Sequence, residues 1–258
     1  MAKLFNQFTN KQGLIVYDGE SSADFGMVVA EAPVFEQPTR KMTVYQVPGR
    51  SGDIVFPQDA WNDVQRKYKI WVAEDSYLDL PTKVRAFTSW LNSKTGYLRL
   101  EDSFEPDVFR LAYHTGGDNI TNDLMQYGET TLTFTCRPER FFKEGENVIT
   151  FTGGGYMNLD MFNPTRFNSK PLIYIEGSGI LLVGASGSFL QVDADGNILL
   201  DCDKMAAYKK AGLNWINANS SVSGNFPYFK PGNPLLFIDD ALGGTWTKVE
   251  VTPRYYTI

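Results

Sequence analysis

Histidine is almost missing from this chain: His114 is the one histidine among 258 residues. Imidazole is the usual proton shuttle near neutral pH and the commonest metal ligand, so its scarcity removes much catalytic and metal chemistry at once. Cysteine is equally thin. Cys136 and Cys202 lie far apart and neither belongs to a CxxC pair, so zinc is disfavoured and two buried free thiols are expected. There is no run of about 18 apolar residues to cross a bilayer as a helix. The opening MAKLFNQFTNKQG lacks the apolar core of a signal peptide. Positive charge is also in deficit, with 24 Lys and Arg against 30 Asp and Glu and a net charge of −6. A protein that grips nucleic acid by its phosphates needs a basic surface, so a DNA-wrapping role is disfavoured.

What is present points to β-structure. Hydrophobic residues make up 43% and aromatics 14%, enough for a core and rich in strand formers. Strands are expected at 14–17, 25–30, 43–47, 68–72, 97–100 and 109–113, with a tight loop at Pro48-Gly49-Arg50-Ser51-Gly52. The stretch 55–61 is ambiguous. Leu80, Val84, Phe87 and Leu91 recur at helical spacing behind Asp79, a candidate cap, with Gly96 as the candidate C-terminal stop. From Thr130 to Cys136 threonines alternate with Leu132, Phe134 and Cys136, the period of a half-buried strand, and Pro138 is expected to stop its ladder. Beyond a polar, glycine-bearing run the chain is strand-like throughout, with turns expected at 177–179 and 193–197. The fold class is therefore mainly β. Residues 1–140 form an α+β domain with one helix, 141–162 a linker or junction, and 163–258 a β-sandwich of roughly 100 residues.

No constellation of reactive residues emerges. His114 has no Gly-x-Ser-x-Gly elbow to serve and reads as structural. Asp193, Asp195 and Asn197 imitate the start of a calcium loop, but Ile198 and Lys204 occupy the positions that need glycine and glutamate, so a hairpin turn is expected. The glycines at 153–155, 184 and 187 fit no phosphate-binding pattern. Asp239-Asp240 has no partner motif and reads as a solvated loop. No catalytic, cofactor-binding or metal-ligating residue is assigned, and an enzyme is not expected.

The order of several weak signals carries more information than any one of them. A strand ending in Cys136-x-Pro138-x-x-Phe141 is followed by Asn163-Pro164, then Ser169-Lys170-Pro171 before an apolar run, then Gly177-Ser178-Gly179. Near the end stand SGNFPYFKPGNPLLFID (223–239) and WTKVEVTPRYY (246–256). This series resembles the distal tail (Dit) proteins of siphophages that infect Gram-positive bacteria, and the likeness covers nearly the whole chain. The resemblance implies a structural virion protein at the tail tip, assembled in the host cytoplasm. Its first domain would form a hexameric ring and its second a galectin-like β-sandwich at the periphery. The ring would join the tail tube protein to tail-tip, receptor-binding or baseplate proteins, and DNA would pass through its lumen without specific binding. Asp53, Asp59, Asp63, Glu74, Asp75 and Asp79 are the candidate lumen carboxylates. The rival reading is a two-domain carbohydrate-binding module recognising cell-surface glycans, for which Trp215, Tyr228, Phe229 and Trp246 are the candidate stacking aromatics.

Overall fold

The computed structural model describes residues 13–73, 79–117, 119–120 and 127–258. The chain separates into two compact units, Met1–Arg140 with Ile258, and Phe141–Thr257.

The first unit contains β1 (Ile15–Tyr17), β2 (Glu20–Ser21), β3 (Met27–Val29), β4 (Arg40–Tyr45), β5 (Ile54–Trp61), β6 (Val64–Ala73), helix α1 (Asp79–Asn92), β7 (Leu98–Asp102), β8 (Val108–His114) and β9 (Tyr127–Phe142). The main sheet runs in the order β2-β1-β7-β8-β9-β6-β3. Its central pair, β6 and β9, is antiparallel from Val64 opposite Cys136 to Ala73 opposite Tyr127. The alternation read in both segments is realised: Val64, Tyr68, Ile70, Val72, Leu132, Phe134 and Cys136 point inward. The pairing of β6 and β9 stops at Cys136, but β9 stays extended through Pro138 to Phe142. That pairing stops where β6 begins, so the expected stop at Pro138 is not what ends it, and proline, which lacks only the N–H and tolerates extended φ, leaves the strand intact.

Helix α1 lays its apolar stripe on this sheet. Leu80, Phe87 and Leu91 are buried, and Val84 packs at the margin. Trp90 joins them, stacked on Phe25 with ring centroids 4.9 Å apart. The helix ends at Asn92, earlier than Gly96 suggested. Ser93 donates its hydroxyl to the Trp90 carbonyl (2.9 Å) and so occupies one of the acceptors left over at a helix end. The side chain of Asp79, the expected cap, lies outside the described residues.

The second unit holds β10 (Ile149–Thr152), β11 (Met157–Asp160), β12 (Leu172–Ala185), β13 (Ser188–Asp201), β14 (Ala206–Ala211), β15 (Asn214–Asn217), β16 (Val222–Gly224), β17 (Leu235–Asp239) and β18 (Thr245–Thr252). Residues 141–162 are more than a linker. Phe151 of β10 packs against the core, Leu159 of β11 lies within it, and the two strands pair with β18 and β17. Short alternating runs such as Ile149-Thr150-Phe151-Thr152 are true strands whose signal the flanking glycines hide. Gly155 is itself pinned, its N–H bonded to Asp240 Oδ2 and its carbonyl to Trp246 Nε1, each at 2.8 Å.

The long hairpin β12–β13 dominates this unit. Its register is unbroken from Leu172 opposite Asp201 to Ala185 opposite Ser188. At one end it belongs to the ladder β10-β18-β12-β13-β14-β15. At the other, β12 pairs with β17 and β13 with β16. The two ends thus recruit two sets of strands into one nine-stranded sheet around a shared core of Ile173, Ile175, Leu181, Val183, Leu190, Val192, Leu200 and Trp246. The expected turns at 177–179 and 193–197 are both corrected: each lies inside a strand. Gly177 stands where the β12–β18 register shifts, and it faces Gly196 across the hairpin. A Cβ on Gly177 would run into the Thr245 carbonyl, and one on Gly179 would sit 2.9 Å from the Gly243 carbonyl. These glycines admit a crossing backbone at a bulge.

The motif residues of the junction have architectural jobs. Buried Asn163 donates its side-chain amide to the carbonyls of Phe167 (2.8 Å) and Phe229 (2.9 Å), tying 163–169 to the extended 225–234 stretch. Arg254 reaches Asp201 Oδ1 at 2.8 Å.

Removing the ring of Phe87, which is fully buried against Phe25 and Trp90, is expected to destabilise the chain by about 3–5 kcal/mol. Arg85→Ala, on the exposed side of the helix, is expected to change stability by less than about 0.5 kcal/mol. Chemical denaturation of the two variants checks the assignment, and equal midpoints would refute it.

Candidate assembly surfaces

Two features of the first unit stand out: a buried charge cluster and a hairpin that pairs with no other described strand. The cluster is centred on Arg66, whose side chain is fully buried on the inward row of β6. Its guanidinium contacts Asp102 (2.9 Å), Glu36 (3.1 Å) and Glu105 (3.3 Å), and it also donates to the Val34 carbonyl (2.9 Å). Tyr68 adds its hydroxyl to Asp102 at 2.7 Å. Glu105 is shared further, with Arg110 at 2.5 Å and Arg140 at 3.3 Å. Asp102 also accepts the backbone N–H groups of Phe104 and Glu105, each at 2.9 Å. Burial works against ionisation of Asp102, but the bonds from Tyr68 and Arg66 prevail and hold its carboxyl below the usual range. Burial also raises the Cys136 thiol to about 12, so this cysteine stays protonated and unreactive.

Through Glu36 and the Val34 carbonyl, Arg66 clamps the irregular strap 30–39 across the unit. The strap leads straight into β4. Strands β4 and β5 form a separate two-stranded sheet, paired from Tyr45 opposite Ile54 to Arg40 opposite Trp61. Asn62 closes its base on Thr39 through backbone and side chain, both at 2.9 Å. Both faces are apolar. Tyr45 and Phe56 meet edge to face on one side at 5.8 Å; Met42, Val44 and Val55 project from the other. All five are about half exposed, at 46–57%. The strap adds Val34 at 77% and Phe35 at 65%. A lone hairpin is at best marginally stable in water, and a contiguous exposed apolar patch marks an interaction site. Sequence reading left 55–61 undecided and missed this surface. The available signal was apolar residues at consecutive positions, Val44-Tyr45 and Val55-Phe56, which places greasy side chains on both faces.

The other candidates are scattered. Asp53 and Asp59 are exposed near the hairpin turn and on β5; Asp63 accepts the Tyr97 hydroxyl. Glu74 and Asp75 lie outside the described residues. His114 accepts the Gly116 N–H at 3.3 Å and lies 5.4 Å from the Phe134 ring, a structural setting. Asp193 and Asp195 are exposed strand residues, and Asn197 accepts the Lys210 N–H at 2.9 Å. Asp239 and Asp240 accept backbone N–H groups of Ala241 and Gly155. Among the described residues no group of three His, Cys, Asp or Glu side chains is placed to hold a metal, and no helix is long and apolar enough to cross a membrane. Of the four stacking aromatics, Phe229 and Trp246 are core, Tyr228 is half-buried, and Trp215 is 44% exposed.

This architecture, a strand-rich unit with one helix followed by a strand-only unit built on a long hairpin, is a fold shared with a solved phage distal tail protein. The chain superposes on the Dit protein of phage SPP1, described as a paradigm of the hub adsorption apparatus in Gram-positive infecting phages. The TM-score is 0.71 and the identity 15%, over 96% of this chain and 100% of that one. It is also similar to chains of the phage p2 baseplate in its activated conformation. With calcium the TM-score is 0.54 at 10% identity over 92% of this chain and 97% of the other. With strontium it is 0.53 at 12%, over 93% and 97%. No family model matches the sequence, and no curated protein matches it.

Substituting Arg66 by Met would strand Asp102, Glu36 and Glu105 together and is expected to destabilise the chain by about 3–5 kcal/mol. The folded Asp102 carboxyl titrates below its unfolded value of about 3.9, so its contribution is complete above that pH and is lost as the pH falls through the lowered value. Melting curves of the wild type and Asp102→Asn should therefore converge as the solution is acidified below about pH 4. Curves that stay parallel would show that Asp102 is not held ionised by this cluster.

Proposed function

We propose that this protein is a homo-oligomeric adaptor ring of a phage tail, joining the tail tube to the baseplate or tip proteins that meet the host. The observation that carries the reading is the hairpin β4–β5, apolar on both faces and paired with no other described strand. A chain that leaves such a surface open is built to cover it with another subunit. The fold likeness to SPP1 Dit and the p2 baseplate supplies the context. In this reading residues 1–140 form a six-membered ring, and residues 163–258 stand outside it as an accessory sandwich. Repetition of one heterologous contact closes a ring when the rotation allows it. The role is architectural and needs no catalytic group. The protein would reside in the virion tail tip after assembly in the host cytoplasm.

The contact is tested by charge. Val44→Asp with Phe56→Asp should leave a folded monomer, since both residues are half exposed. Light scattering coupled to size exclusion should find about six protomer masses for the wild type and one for the double variant. A wild-type monomer at all concentrations would end the ring reading.

DNA traffic gives a second check. The chain carries a net charge of −6, and a lumen that passes the duplex gains nothing from holding phosphates. Assembled protein is expected to show no duplex binding in a gel-shift assay, even near about 50 mM salt where phosphate contacts are strongest. Micromolar binding that weakens steeply with salt would reveal a basic DNA-contacting face and overturn this view of the channel.

A further inference from the structure

We infer that the second unit carries a binding site for a neutral glycan chain on the outer face of the sheet formed by β11, β17, β12 and β13. The inward face of these strands is core: Leu159, Leu236, Ile238, Val183 and Leu190 are buried. On the outward face the registers place Asn158, Phe237, Gly184 and Phe189 in one row. Tyr156 stands just before β11 and stacks on Phe237, ring centroids 6.5 Å apart and planes 27° apart. Phe237 in turn meets Phe189 at 5.5 Å. Three aromatic rings thus form a continuous line across the sheet, and Tyr156 is 63% and Phe189 52% exposed.

Gly184 makes the line flush. A Cβ there would lie 2.5 Å from Phe237 Cζ, so the phenyl ring rests over bare backbone and cannot do so beside any larger residue. The soluble alternative, a polar or charged residue at the outward positions of a half-exposed sheet, is what these strands would otherwise show. Successive rings separated by about the length of a sugar unit offer flat apolar faces to the axial C–H groups of consecutive sugars. Hydrogen-bonding groups line the same face. The Tyr156 hydroxyl donates to Asn158 Oδ1 at 3.1 Å, which orients the amide beside the rings, and exposed Gln191 lies on the far side, opposite Leu182.

Charge narrows the ligand. Asp160 and Asp239 flank the row on β11 and β17, and no lysine or arginine stands in it. Lys230, bonded through its backbone to Ser186 in the β12–β13 turn at 3.2 Å, lies over Tyr228. A phosphate-rich or uronic polymer would face uncompensated carboxylates, whereas an uncharged chain would use them as hydroxyl acceptors. The hairpin β4–β5 differs in kind: it pairs aliphatic and aromatic side chains on both faces and carries no comparable line of rings, as suits a protein contact.

The inference does not rest on the ring, and its test separates the two. The full-length chain is titrated by calorimetry with a panel of neutral hexose and N-acetylhexosamine oligosaccharides, and with poly(glycerol phosphate) and hyaluronan as anionic counterparts. At least one neutral oligosaccharide should bind saturably and neither anionic polymer should. Phe189→Ala and Tyr156→Ala should each weaken binding about tenfold or more, a loss of one ring-stacking contact, without lowering the melting temperature. Tyr156→Phe should retain most of the affinity. Trp215→Ala, on strands outside the row, and the hairpin variant Val44→Asp/Phe56→Asp should leave it unchanged. Absence of binding by every neutral member at millimolar concentration, preference for an anionic polymer, or binding that depends on Trp215 and ignores Phe189 would each overturn the assignment.

Discussion

One buried guanidinium governs how the first unit can be arranged. Arg66 sits on a core-facing position of β6 where an aliphatic residue would ordinarily stand, flanked at two-residue spacing by Val64 and Tyr68. A lone charge there would be intolerable. It is tolerable because Asp102 at the end of β7, Glu105 in the following turn and Glu36 on the strap converge on it. The requirement is mutual for Asp102, which is buried with the arginine as its cation partner. Strap, sheet and turn are therefore locked in one arrangement, and the strap determines where β4 begins and so where the open hairpin emerges. Buried ionic groups are poor sources of stability compared with packed hydrocarbon, but they penalise alternative arrangements heavily.

How much of this was legible in the sequence follows from what each residue has to do. The stripe Leu80–Phe87–Leu91 and the alternations in β6 and β9 were readable because each face of those elements meets one environment, core or solvent. Helix α1 stopped short of Gly96 because a serine hydroxyl met the terminal carbonyl first, a local competition that composition does not rank. Arg66 was invisible as a hub. Its charge falls on the apolar half of the strand pattern and so masks the start of the strand, and its partners come from two distant segments, 34–36 and 102–105. The hairpin β4–β5 was obscured for the opposite reason. Its residues obey neither period, since both faces await a partner that the sequence of one chain does not describe.

Glycine misled most. In Gly177-Ser178-Gly179 and Asp193–Asn197 it was read as a turn former, yet both segments lie mid-strand. The same freedom of φ that permits a reversal also permits a bulge and a close crossing, and the two uses differ only in what approaches the missing Cβ. For Gly177 it is the backbone of Thr245, for Gly184 the ring of Phe237. Neither neighbour is near in sequence. The candidate glycan face shares this blindness: Tyr156 precedes β11, Phe237 lies on β17 and Phe189 on β13, and only the register of three ladders brings them into line. The aromatics that did catch the eye, Phe229 and Trp246, did so by sitting in motifs, and those motifs hold the core together.

The unbroken hairpin β12–β13 bears on how the second unit comes to exist at all. Its closing pair, Ala185 with Ser188, is nearly adjacent along the chain, and each later pair needs only a small further step. The pairing of β10 with β18, by contrast, must bring Ile149 to Val251 across most of the unit. Local contacts carry a low entropic penalty for loop closure and form early. Because β12 also pairs with β17 and β18, and β13 with β14 and β16, formation of this one hairpin supplies a template on each side at once. The distant strands β10, β11, β17 and β18 then have prepared edges to add to, so the slow part of the topology is reduced to annealing onto a scaffold that zips itself from a two-residue turn at Ser186–Gly187.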